Sequence, residues 1–321
     1  MAHLVPYSIY ERDSAWRVKW IYVEARDFAA SSFRKNIDRL LRQAWDKNIT
    51  TETDAAVLFE FAHKWRDFRP TGFIYHVSRC GSTLLCNMLA SVPDTIVLAE
   101  PLVTLAILGD GFVQRTENPV GIIDALRASL AAFYRPGALN EQYFFCKFFS
   151  GNIFQAQLIR RAFPQVREIF LYRDPIEVIV SNTLIQRQEW LWTERITGVP
   201  YSQAVELSIV ELAARAIGRK MTAMQSQFAK NSTWLMNYNE INAGTAHELL
   251  DFFGMAAGED NLRRMQHTMN YYSKDLTQTA TFNDDSSLKQ CQASEFIRDL
   301  ANRFSYSAYN ELEKLRAAQR R

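Results

Sequence analysis

The sequence predicts an α/β fold, in which a central, mainly parallel sheet is flanked by helices in three layers. A helical amino-terminal extension over 1–70 precedes the α/β domain at 71–321. Two observations lead there. From Phe73 onward, short β-prone apolar runs alternate with stretches of helical periodicity, the pattern of βαβ units with parallel pairing. Two junctions, FIYHVSRCGSTLLCNMLA at 73–90 and YRDPIEVIVS at 172–181, read as strand, polar turn and helix start.

Taken in order, residues 1–70 are rich in charge and tryptophan (Trp16, Trp20, Trp45, Trp65), with helix-like stretches at 30–45 and 54–68. Pro70 and Gly72 punctuate the entry to the first apolar run, and Leu84, Leu85, Met88 and Leu89 then recur at helical spacing. TIVLA follows as a second strand, stopped at Glu100-Pro101 because proline cannot continue a ladder. Residues 102–140 are helical in pattern, and YFFCKFF at 143–149 is the third strand. A helix at 152–163 leads to the fourth strand, 168–173. Asp174 then caps the next helix, with Pro175 at its first position and Glu177 at capping-box spacing. A long amphipathic helix at 202–229, a fifth strand at 233–238, a helix at 245–253, a polar irregular stretch to about 290 and a final helix complete the chain.

Composition narrows the functional classes. The 321 residues carry a formal charge of only +2, which gives no reason to expect a nucleic-acid partner. No apolar run reaches the roughly 20 residues a membrane helix needs, and the amino terminus lacks a signal-peptide core. The four cysteines, Cys80, Cys86, Cys146 and Cys291, lack zinc-ligand spacing and read as reduced thiols, so a cytoplasmic location is expected.

The loop between the first strand and helix holds Arg79, Cys80, Gly81, Ser82 and Thr83. Free N–H groups and the positive helix end attract phosphate-like anions there, and Gly81 lets backbone come close to one. Ser82 and Thr83 can cap the helix, and Arg79 adds a forked, permanent cation. The competing reading is an ordinary strand-to-helix turn. A triphosphatase loop, GxxxxGK[ST], would need glycine at His76 and lysine at Ser82. A cysteine phosphatase would need arginine where Cys86 stands. Cys80 is either a thiol activated by the helix end and Arg79 or a small loop residue.

RCGSTLL resembles the [KR]SGTTLL loop of the sulfotransferases, and YRDPIEVIVS resembles that family's second motif. Weaker similarity extends through FPQVREIFLYRDP and WLMNYNEINAGTAHELLDFFGM, covering roughly 72–255. The resemblance implies a P-loop-type fold and sulfuryl transfer from 3′-phosphoadenosine 5′-phosphosulfate to a small-molecule hydroxyl or amine, leaving 3′-phosphoadenosine 5′-phosphate. No metal is implied. Arg79, Cys80, Gly81, Ser82 and Thr83 would hold the 5′-phosphosulfate, and Arg173 and Ser181 the 3′-phosphate. One subgroup's histidine base is missing, since Phe149 takes its place. Another subgroup's glutamate base matches Glu100, which lies 21 residues after Arg79. Lys147 would support the sulfonyl or leaving oxygens, with a snorkelling strand-end lysine as its bland alternative. His76 is the second candidate base, although a histidine inside a strand is more often a core residue. Trp190 and Trp192 either line the acceptor pocket or simply pack. Arg263, Arg264 and Lys274 lie where some relatives bring a late basic segment, without a clear match. A small-molecule kinase using ATP and a non-catalytic binding protein of the same fold are the alternatives.

Overall fold

A computed structural model describes residues 3–23, 40–41, 50–64, 67–109, 119–134, 143–183, 193–229, 232–271 and 284–319. Its centre is a five-stranded sheet of β4 (Gly72–His76), β5 (Thr95–Ala99), β6 (Tyr143–Lys147), β7 (Arg167–Tyr172) and β8 (Thr233–Asn237), in the order β5-β6-β4-β7-β8. Every pairing is parallel. All five positions of β4 are buried, because a parallel sheet covered on both faces needs apolar residues on both. Between the strands run α2 (Ser82–Ala90), α3 (Leu102–Ile107), α4 (Pro119–Ala131), α5 (Ala156–Ala162) and α6 (Pro175–Thr183).

The strand order reverses around β4, and β4 and β7 lead their helices away in opposite directions. Ligands of open α/β sheets bind at the carboxyl edge of such a switch point. Register places the edge residues together. Lys147 ends β6 level with Ala99 of β5 and beside Ile74 of β4. Glu100, whose N–H donates to the Lys147 carbonyl at 2.7 Å, emerges at the same edge.

The helical reading of residues 1–70 holds for the stretch expected at 54–68, where a helix forms, and is corrected for the strands that precede it. β1 (His3–Arg12), β2 (Ala15–Val23) and β3 (Thr50–Asp54) form an antiparallel sheet, followed by α1 (Ala55–Lys64). Asp13 and Ser14 turn the hairpin with φ of 52° and 60°, the left-handed pair of a primed two-residue turn. Neither residue is Gly or Asn, so the usual hairpin signal is missing. The helix expected at 30–45 lies outside the described residues apart from 40–41. Val5, Val18 and Leu58 join the same apolar core as the central sheet.

Smaller departures occur later. The helix expected at 202–229 divides into α8 (Tyr201–Ala204) and α9 (Ile209–Gln227), with α7 (Glu194–Thr197) ahead of them. The stretch after α10 (Thr245–Phe253) is not all irregular, since α11 (Glu259–Met269) packs on α2. The final helix is three: α12 (Ser286–Gln292), α13 (Glu295–Phe304) and α14 (Tyr306–Gln319).

Candidate active site

The loop leaving β4 is bent by backbone rather than by side-chain caps. Ser78 and Arg79 have φ of 80° and 52°, and Gly81 has φ of 86°. Left-handed non-glycine residues cost energy and concentrate at functional sites. Gly81 is also required by space, since a Cβ there would lie 2.4 Å from the Tyr238 ring. Gly81 is the N-cap of α2, with no side-chain capping bond, so the capping role expected of Ser82 and Thr83 is not observed. The first N–H groups of α2 lack intrahelical acceptors, as at any helix start.

Cys80 points inward. Its buried Sγ donates to the Leu171 carbonyl at 3.2 Å, and burial pushes its thiol up to about 11. The activated-thiol reading is therefore corrected, and only the backbone of Cys80 is left to meet a ligand.

Glu100, Lys147 and His76 converge at the carboxyl edge. Lys147 Nζ lies 2.9 Å from Glu100 Oε1, with Lys147 buried and Glu100 partly open. His76 Nδ1 accepts from the Ser78 N–H at 3.1 Å, which leaves the proton on Nε2. That N–H faces the Phe148 carbonyl at 3.1 Å and Glu100 Oε1 at 3.4 Å. Burial lowers the pKa of His76 and keeps it neutral, although its bond to Glu100 works the other way. With both ring nitrogens engaged, His76 is a prop for Glu100, not a base. Burial alone would raise the Glu100 carboxyl, but the Lys147 ammonium and the His76 bond hold it well below the usual range. Glu100 itself has φ of 58°, a strained turn that aims its side chain back over the sheet edge.

The second junction builds a separate cluster. Asp174 Oδ1 accepts from Ile176 N–H at 2.9 Å, the expected N-cap of α6. The capping box is not closed by Glu177, because that carboxylate accepts from Arg173 Nε and from Gln290 at 3.3 Å. Arg173 lies 4.0 Å above the Tyr238 ring, and its Nη2 donates to Asp285 Oδ1 and Ser286 Oγ, each at 2.9 Å. Lys289 Nζ meets the other oxygen of Asp285 at 2.7 Å. Arg79 Nε donates to Ser181 Oγ at 2.9 Å, tying the first junction to the second. Arg173 and Lys289 thus meet on one acidic side chain, Asp285, while Arg79 and Ser181 bond to each other.

Tyr238, Asp285 and Lys289 were not legible as site residues, nor were Ser150 and Lys220, which meet at 2.9 Å just beyond β6. Only Tyr238 had a signal, its place after the fifth strand. Arg263 and Arg264 lie on α11, where Arg263 pairs with Asp260 at the surface. Lys274, Trp190 and Trp192 lie outside the described residues.

Cationic forks and hydroxyls thus stand at the carboxyl edge of the sheet, a donor set suited to phosphate-like groups. The chain belongs to the sulfotransferase family, whose family model matches residues 70–260. Three solved structures illustrate the likeness. A sulfotransferase from Alicyclobacillus acidocaldarius is 15% identical with a TM-score of 0.45, covering 79% of this chain and all of its own. A sulfotransferase from Mycobacterium avium is 12% identical with a TM-score of 0.43, covering 75% of this chain and 81% of its own. The sulfotransferase domain of the curacin biosynthetic pathway is 15% identical with a TM-score of 0.41, covering 74% and 97%. No curated protein matches the chain in sequence.

Proposed function

We propose that the chain transfers a sulfuryl group from 3′-phosphoadenosine 5′-phosphosulfate to an acceptor hydroxyl or amine, with Glu100 as general base. The observation that carries this reading is the pair of clusters joined through Arg79 and Ser181, one beside a carboxylate base and one built around Arg173. The donor set fits a nucleotide with phosphate at both ends: Arg173, Ser181 and Lys289 suit a 3′-phosphate, and the α2 N-terminus with Arg79 suits the 5′ end. When bound, the donor supplies an electrophilic sulfur on a phosphate leaving group.

The residues divide the work. Arg79 and the loop N–H groups of Cys80, Gly81, Ser82 and Thr83 hold the anionic end and stabilise charge that builds on the leaving oxygens. Lys147, beside Glu100, supplies a supporting cation for the sulfonyl or leaving oxygens. Glu100 accepts the acceptor's proton as its oxygen or nitrogen bonds to sulfur. Lys147 also controls that basicity: paired with Glu100 it keeps the carboxylate a weak base, and drawn toward an anionic ligand it frees it. Three of the four polar contacts of Arg173 and Lys289 described above are to carboxylates, so a 3′-phosphate competes with Asp285 for the same cations.

The test is turnover. The protein is incubated with the phosphosulfate donor and panels of phenols, alcohols and amines, and release of 3′-phosphoadenosine 5′-phosphate is followed by chromatography. Acceptor-dependent release is expected. Phosphoryl transfer from ATP with Mg²⁺, and none from the phosphosulfate, would replace this reading with a kinase.

A further inference from the structure

Lys220 lies in the middle of α9, yet it is only 2% exposed and faces the central sheet. Its Nζ donates to Ser150 Oγ at 2.9 Å, and Ser150, itself buried, follows Lys147 by three residues past the end of β6. The ammonium is thus held at the turn that follows β6, three residues along the chain from Lys147 and its pair with Glu100. A buried lysine ordinarily requires a carboxylate partner. Among the described residues, none lies within ion-pair distance of Lys220.

The surrounding elements do not supply one. On α6, Glu177 is engaged by Arg173 and Gln290. On α14, Glu313 accepts from Tyr172, Asn237 and Arg316, while Glu311 pairs with Lys314 at the surface. On α13, Asp299 pairs with Arg303, and Arg298 donates to the Gln290 carbonyl. On α7, Arg195 donates to the Leu108 carbonyl, and Glu194 is exposed. The carboxylate that acts on Lys220 is Glu100, and Lys220 acts in turn on His76. Glu100 is already committed to Lys147, His76 is neutral and Cys80 is protonated. Among the described residues, two lysines thus face one carboxylate at this end of the site, with one positive charge left over.

We infer that Lys220 is a positioning residue whose buried, unbalanced charge is completed by the anionic donor, so that donor binding draws a proton onto it. This rests on the function proposed above. An anion arriving at the loop supplies the negative charge that Lys220 lacks. Without the ligand, burial lowers Lys220 to about 8, so it is partly neutral in mildly alkaline solution. With the anion bound, its pKa rises, and the proton comes from solvent. Affinity therefore falls as pH rises from the unliganded to the liganded pKa, by roughly tenfold for each unit between them. Lys289 is the other lysine that burial lowers near the site, and it pairs with Asp285, so it needs its own control.

The experiment is titration calorimetry with 3′-phosphoadenosine 5′-phosphate at pH 8.5 in two buffers of different ionisation enthalpy. The wild-type protein is expected to take up about half a proton or more per nucleotide. Lys289→Met should retain most of this uptake. Lys220→Arg, which keeps the charge but does not titrate, should bind and take up almost none. Lys220→Met should lose both the uptake and roughly tenfold in affinity at pH 7. Its melting temperature should not fall, because removing an unpaired buried charge relieves a desolvation cost, whereas a purely structural lysine would leave a less stable protein. Binding without proton uptake, or uptake that persists in both Lys220 variants, overturns the inference and leaves the proposed function standing. Failure of the wild-type protein to bind the nucleotide overturns both.

Discussion

Glu100 carries most of the catalytic argument, and its surroundings cut both ways. Lys147 and His76 keep it ionised, but they also weaken it as a base until Lys147 is drawn elsewhere. Glu100→Gln should therefore keep nucleotide binding, measured by calorimetry, and lose about 10²–10⁴-fold in turnover. The same residue has a pH signature in stability. Its folded-state pKa is lowered, so its contribution is present above the ordinary carboxylate range and is lost as pH falls through the folded value. Thermal melts should show Glu100→Gln less stable than wild type at pH 7, by up to about 3 kcal/mol, with the gap narrowing as pH falls. Asp285 predicts the opposite sign for binding. Because it occupies Arg173 and Lys289, Asp285→Asn should tighten binding of 3′-phosphoadenosine 5′-phosphate several-fold, about 1 kcal/mol, since the half-exposed carboxylate is screened by solvent. A weakened affinity would make Asp285 a support for Arg173 instead of a competitor. Glu100, Arg79 and Ser181 could be read from motif and spacing. Asp285 and Lys289 could not, because Asp285 reaches Arg173 from more than a hundred residues away and brings its partner Lys289 with it, and neither local periodicity nor composition reports that encounter.

At the scale of elements, the strand-loop-helix at β4 was legible because its signals agree: an apolar run, a glycine and helical spacing. What could not be read was how the loop is held. It relies on left-handed backbone at Ser78, Arg79 and Gly81, and on Tyr238 stacked against Gly81 and Arg173. Gly81→Ala should cost about 1–3 kcal/mol in thermal denaturation from the φ of 86° and the clash with Tyr238, and should weaken nucleotide binding as well. The amino-terminal strands illustrate the opposite case. β1 and β2 are joined at Asp13-Ser14, a primed turn without its usual residues, and tryptophan and charge drew attention away from the period-two pattern. Glu177 misled for a related reason: capping-box spacing was present, but a buried arginine one residue before Asp174 made a better partner for the carboxylate.

For the whole molecule, the sheet order follows from parallel βαβ connections and sets the function in place. Five strands end on one edge, and the reversal around β4 brings residues from β4, β5, β6 and β7 to a single site. The alternation of elements gave the fold class, while the order in which the strands pair depends on contacts between residues far apart in the chain. The proposed chemistry assigns charge stabilisation to cations and N–H groups and proton removal to Glu100, with no step given to a metal. Turnover should therefore be unchanged by a chelator, and a loss restored by one divalent cation would show that a metal takes part. The most direct measurement of the account is calorimetric comparison of 3′-phosphoadenosine 5′-phosphate with adenosine 5′-phosphate, on wild type and on Arg173→Ala. The account predicts that the 3′-phosphate strengthens binding by about a hundredfold in the wild type, two charge-assisted bonds' worth, and by little in the variant. Equal affinity of the wild type for the two nucleotides would contradict it.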